Sequence, residues 1–243
     1  MALYAMPSGA RTALRFLAPG TSGPASRLRR ALLVALMPRL VRRHHVVELL
    51  EMLDGDGTAG ADARKVVDGL RRRPTTCLYR SLAGFASLRG AGEPVRFVIG
   101  VRVDDGEVVA HAWLERNGEP VGEPTDPRDR FAVAFVYPPQ GGGRTRMEGG
   151  MAESLSSKDV ILTEMKDGTG VLLDLKSKFY FTLNATGVVV WKLLASGEAK
   201  TARELAERIA KDFEAPSMEE VEKDVGLLMK ELEAEGLIGG PPR

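Results

Sequence analysis

At 243 residues the chain is longer than one typical domain of roughly 100–150 residues, and its 44% apolar content is that of an ordinary globular protein. No uninterrupted apolar run is longer than that of residues 31–37, which falls far short of the roughly 20 residues a spanning helix needs and argues against a transmembrane segment. The only cysteine is Cys77, so no intramolecular disulfide can form and a reducing, cytoplasmic setting is expected.

The net charge of +1 conceals two different halves. Residues 1–148 carry 21 Arg and one Lys against 16 acids, whereas residues 149–243 carry three Arg and nine Lys against 17 acids. No folding rule asks one half to use arginine and the other lysine, so the switch marks two segments with a seam near Gly141. The first 47 residues hold eight arginines and no acid. A targeting peptide or an anionic membrane surface would suit that pattern, but packed helices with outward arginines suit it better.

Residues 1–26, rich in Gly, Pro, Ser and Ala, read as a loosely ordered arm with at most a short helix at 13–17. Helical patterns follow at 26–53, interrupted at Pro38, and at 61–72. Between them Asp54-Gly55-Asp56-Gly57 reads as a turn, since the spacing lacks the later ligands of a calcium loop. Thr75 or Thr76 is placed to cap a helix over 77–89. Strands are expected at 95–103, 107–115 and 131–137, the first two joined by Asp104-Asp105-Gly106, with a further turn at Asn117-Gly118. Pro138-Pro139 and Gly141-Gly142-Gly143 then open a flexible linker. Beyond it come short strands at 160–165, 171–175 and 179–183 and helices at 186–194, 201–212 and 217–235, with capping-box patterns at Thr201/Glu204 and Ser217/Glu220. The organisation is therefore an arm (1–26), an α+β domain (27–138), a linker (139–157) and a winged-helix-like domain of three strands and three helices (158–239).

A thiol attacks a carbonyl only as the thiolate, and a helix N-terminus lowers its pKa by placing backbone N–H groups and the positive dipole end beside the sulfur. Cys77 stands at such a position. Of the three histidines, His44 and His45 fall in the Arg-rich helical region, whereas His111 lies in mid-strand beside Ala112 and Trp113, which makes it the better general base. Either residue alone has an ordinary structural explanation. Together, a helix-borne nucleophile facing a strand-borne imidazole is the layout of papain-type hydrolases, in which a third polar group orients the ring. The Cys77 backbone N–H is the natural oxyanion donor. Arg80, one turn on, is placed to hold substrate or a structural carboxylate, and Glu115, on the His111 strand face, is expected at the surface.

The stretches Arg73-Pro74-Thr75-Thr76-Cys77-Leu78-Tyr79-Arg80-Ser81-Leu82, Val98-Ile99-Gly100-Val101 and His111-Ala112-Trp113-Leu114-Glu115 with Gly118 resemble the lasso peptide leader peptidases of the transglutaminase-like superfamily over about residues 26–137. That resemblance implies a papain/transglutaminase-like fold and a Cys/His/Asp site. Such a site would cleave the leader from a ribosomally made precursor, so that an asparagine-synthetase-like cyclase can close the macrolactam. It implies no cofactor and no metal. Cys77 and His111 match the family's first two members; the acid position falls at Glu123, while the nearest aspartate is Asp126, and either remains a candidate. The same residues would serve acyl transfer in place of hydrolysis.

Residues 160–238 resemble the PqqD-like precursor-peptide recognition element, through Leu173-Asp174-Leu175, Phe179-Tyr180-Phe181-Thr182-Leu183-Asn184, Gly187, Val190-Trp191 and Gly236-Leu237-Ile238. In such domains a leader adds a strand to the sheet edge and lays apolar side chains against the last helix. The expected leader-binding residues are Phe179, Tyr180, Phe181, Thr182 and Leu183 with Val221, Asp224, Val225 and Leu228. Nucleic-acid binding is disfavoured, because the last helix carries Glu219, Glu220, Glu222, Asp224, Glu231, Glu233 and Glu235 against Lys223 and Lys230. Fused members of the family place the recognition domain first, so the order here is inverted. A whole chain acting as a non-catalytic leader-binding scaffold, with Cys77 a packing residue, is the remaining alternative.

Overall fold

The computed structural model describes residues 24–55, 62–72, 75–139, 159–212 and 217–239. The proposed arm at 1–26 and linker at 139–157 lie almost wholly outside them. The chain divides into two compact units, residues 1–144 and 145–243.

Among the described residues, four helices precede the sheet of the first unit: α1 (Pro24–Arg43), α2 (Val46–Leu53), α3 (Ala63–Arg71) and α4 (Cys77–Arg89). Leu33, Met37 and Val41 recur every four residues along α1 and are buried, one turn of helix apart on a single stripe. The sequence pattern suggested a break at Pro38, yet α1 runs through it and ends at Arg43. The break falls instead at His44 and His45, where His45 adopts extended backbone as the N-cap of α2. His44 pairs with Glu48 at 3.2 Å, which accounts for it locally.

The sheet follows as β1 (Val95–Asp104), β2 (Glu107–Arg116), β3 (Glu119–Pro120) and β4 (Ala132–Tyr137), in spatial order β3-β2-β1-β4 and antiparallel throughout. Its hairpins close at Asp105-Gly106 (φ 49° and 82°) and Asn117-Gly118 (φ 53° and 84°). Positive φ at both central residues matches the strand twist, which is why Asp-Gly and Asn-Gly pairs stand there. Helix α4 packs on β1 and β2 and is itself covered by α1, α2 and α3. Every residue from Ser81 to Leu88 is buried as a result. Gly84 lets the helix approach: a Cβ there would lie 2.8 Å from the Leu114 side chain of β2. The helix that begins at the thiol is therefore the central rod of its unit.

The second unit is β5 (Val160–Glu164), β6 (Gly170–Asp174) and β7 (Tyr180–Leu183), an antiparallel sheet in that order, then α5 (Ala185–Ser196), α6 (Ala202–Asp212) and α7 (Met218–Ala234). The caps are those the sequence carries. Asn184 accepts from the Gly187 N–H at 2.8 Å, Thr201 and Glu204 exchange side-chain to backbone bonds at 3.2 Å each, and Ser217 accepts from Glu220 N–H at 3.2 Å. Leu172, Val190, Trp191, Leu194, Leu205, Val225 and Leu232 form its core. No described helix in either unit is long and apolar enough to cross a membrane.

Candidate active site

Cys77 is the first residue of α4, and the Thr76 hydroxyl caps the turn by accepting from Tyr79 N–H at 3.3 Å. One turn along, Ser81 Oγ donates to the Ala112 carbonyl on β2 at 2.8 Å, pinning the helix start to the middle of that strand. Ala112 turns its other backbone group to the sulfur, which also meets the Leu78 N–H and the His111 ring. The thiol is thus bracketed by main-chain donors from both elements.

The neighbouring strand residue supplies the imidazole. His111 Nε2 lies 3.2 Å from Glu123 Oε2, which leaves Nδ1 for Cys77. Glu123 is delivered by the loop after β3. Val121 N–H bonds to the Leu114 carbonyl at 2.8 Å, and Gly122 adopts φ +74° where a Cβ would collide with Val67 of α3. Arg71 of α3 donates to the Gly122 carbonyl and stands 3.6 Å from Glu123 Oε2. Arg80 donates to the Thr75 carbonyl at 3.5 Å, and its charge acts on Glu123. Sequence reasoning did not single out Ser81 or Arg71. The i, i+4 spacing of Ser81 from the cysteine was its one visible trace.

Asp126 stands elsewhere. It caps a single 3-10 turn (Pro127–Asp129), accepting from Arg128 N–H at 2.9 Å and pairing with the Arg128 guanidinium at 2.6 Å. Glu115 departs from its expected surface position: it is 4% exposed, accepts from Trp113 Nε1 at 3.1 Å and pairs with Arg96 at 2.7 Å. Those two donors are what allow a carboxylate to be buried.

The electrostatics favour a charged pair. Burial, the largest influence on the Cys77 thiol, pushes its pKa up, but the His111 hydrogen bond, the Ala112 N–H and the imidazolium charge more than offset it, leaving it lowered. His111 is raised to about 9, first by the bond to Cys77 and then by Glu123, against burial. Glu123 is lowered: burial opposes ionisation, and His111, Arg71 and Arg80 overcome it. The thiolate and the imidazolium stabilise each other, so the two protons come off as properties of the pair. The ion pair persists between the lowered thiol pKa and about 9. Alkylation of Cys77 by iodoacetamide is therefore expected to stay fast below the ordinary thiol range of about 8.5, which a rate-against-pH series measures.

In the second unit β7 forms one edge of the described sheet. Phe179 is 67% exposed, Thr182 is exposed, and Tyr180 and Phe181 are half-buried. On α7 Asp224 is exposed, and Val221 and Leu228 are partly buried against the core. Leu183 (5%) and Val225 (3%) are core residues, which removes their side chains from the expected peptide-binding surface. Alternation along β7 and the inward stripe of α7 explain both.

Residues 25–136 match the family model described as transglutaminase-like superfamily, and residues 169–238 match that of coenzyme PQQ synthesis protein D, PqqD. The chain joins a transglutaminase-like domain to a PqqD-like domain. A solved structure described as TbiB1 in complex with the TbiA(beta) leader peptide is similar to part of the chain, with 28% identity over 36% of this chain and 98% of that one, at a TM-score of 0.32. No curated protein matches. Cys77, His111 and Glu123 all fall inside the transglutaminase-like match, and β7 and α7 inside the PqqD-like one.

Proposed function

We propose that this chain is a lasso peptide leader peptidase: the PqqD-like domain holds the precursor's leader, and the transglutaminase-like domain cuts leader from core. The observation that carries the reading is the Cys77–His111–Glu123 relay at a helix N-terminus, within a domain joined to a PqqD-like one. The Cys77 thiolate attacks the carbonyl at the leader–core junction, and His111 gives its proton to the departing amine of the core. A water, deprotonated by His111, then releases the leader from the thioester as a free acid. The Cys77 N–H is placed to donate to the oxyanion. The freed core amine is the group an asparagine-synthetase-like cyclase would need.

Leader capture rests on β7, the edge strand of the described sheet, to which an extended peptide can add by main-chain pairing while an apolar side chain meets Phe179. Joining capture to cleavage makes attack on a weakly held junction nearly intramolecular. Phe179→Ala is expected to weaken precursor binding by about five- to tenfold in a titration, the loss of one exposed aromatic anchor.

The test is mass spectrometry of a leader-bearing precursor incubated with the full chain, with and without a primary amine. Free leader acid and intact core are expected in both. A leader–amine adduct as main product would make the chain an acyl transferase, and an unaltered precursor would leave only the scaffold role.

A further inference from the structure

Two side chains that the relay does not use, Trp113 and Glu115, continue the face of β2 on which His111 stands. His111, Trp113 and Glu115 alternate along the strand, and across it Gly100 of β1 pairs with His111 while Arg96 pairs with Glu115. The imidazole lies against the Trp113 indole with centroids 5.9 Å apart and planes 18° from parallel, and its centroid is 5.5 Å from that of Phe131. Trp113 is 1% exposed. Its ring crosses the sheet directly over Gly100, where a Cβ would meet two indole carbons and the Phe131 Cβ at 2.8 Å each. At its other end Nε1 donates to Glu115, itself held by Arg96.

A buried carboxylate is costly unless its oxygens are satisfied, and here Oε1 accepts from the Trp113 indole and Oε2 from Arg96. An indole so anchored has one orientation left. Its face, made more electron-rich by the hydrogen bond at Nε1, is turned to the ring that must carry a positive charge, the arrangement in which a cation–π contact is favourable.

We infer that Trp113 is a positioning residue: seated over Gly100 and tethered by the Glu115–Arg96 pair, it sets the plane of His111 toward Cys77 and supports the imidazolium. The inference rests on the proposed catalytic role of Cys77 and His111, but its test needs no precursor. Glu123, Arg71 and Arg80, which act on the pair from α3, α4 and the loop, are untouched by the substitutions.

The experiment measures iodoacetamide alkylation of Cys77 in the full chain at pH 6.5 and pH 10, with circular dichroism and a thermal melt on each variant. Trp113→Phe keeps a ring but loses the tethering N–H. It is expected to slow alkylation severalfold at pH 6.5, as the thiol returns toward its ordinary range, and to approach wild type at pH 10, where the thiolate no longer depends on the imidazolium. Glu115→Gln still offers an oxygen to Nε1 and is expected to stay within about twofold. A folded Trp113→Phe protein with the wild-type rate at pH 6.5 overturns the inference. So does a loss in Glu115→Gln as large as in Trp113→Phe, since that would assign the effect to charge and not to orientation. Should Trp113→Phe fail to fold, Gly100→Ala keeps every hydrogen-bonding group and displaces the indole from the other side. The same slowing is expected of it, and a wild-type rate at pH 6.5 in that variant overturns the inference equally. A wild-type Cys77 that itself reacts as an ordinary thiol overturns the catalytic reading and this inference together, and that result is visible before any variant is compared.

Discussion

Cys77→Ala is expected to reduce precursor cleavage by about 10⁴-fold or more while leaving precursor affinity within about twofold of wild type. The size follows from what the sulfur does. It is the only nucleophile on α4 that faces His111, and alanine leaves Ala112 N–H, Leu78 N–H and the imidazole with nothing to activate. The unchanged affinity follows from the division of labour, since the proposed leader contacts belong to residues after the seam. Single-turnover cleavage by mass spectrometry and a binding titration separate the two quantities. A variant that cuts at the wild-type rate would remove Cys77 from the mechanism.

The second large effect distinguishes two carboxylates three residues apart. Glu123→Ala is expected to lower cleavage by about 10²- to 10⁴-fold, as loss of the orienting acid does in other relays of this type, and Asp126→Ala to stay within about threefold. Glu123 is the acid in contact with the ring, at 3.2 Å, while both Asp126 oxygens are taken by Arg128. The substitution should also lower His111 from its raised pKa of about 9, because Glu123 is the second cause of that shift after the Cys77 bond, which remains. The alkaline limb of the kcat/KM profile would then move toward the ordinary histidine range, and a pH series on the residual activity reads it out. Equal losses in the two variants would contradict the assignment.

How far the sequence reaches depends on whether the deciding interaction is local. The helix from Cys77 to Arg89 announces itself through Thr76 and an apolar stripe, and the β1–β2 hairpin through Asp105-Gly106, because the causes lie within a few residues. The choice between Glu123 and Asp126 is not local. Arg128 draws Asp126 into a tight turn, and Arg71, 51 residues before Gly122, clamps the loop that presents Glu123. Glu115 escaped for the same reason: its burial depends on Arg96 across the sheet, which alternation along one strand does not reveal. On α7 the heptad-like spacing marked Val221, Val225 and Leu228 as apolar, but only the fold shows that Val225 points into the core.

The contact between Ser81 and Ala112 has one more implication. At position 112 the sulfur meets main chain, and the clasp that sets its height against that strand ends on the carbonyl of the same residue. Neither partner at position 112 is a side chain, so the lineage can exchange that residue within the limits of the space available without rewriting what the nucleophile touches. Part of the chemistry is stored in the pairing register, where inheritance of the fold preserves it even as the letters change.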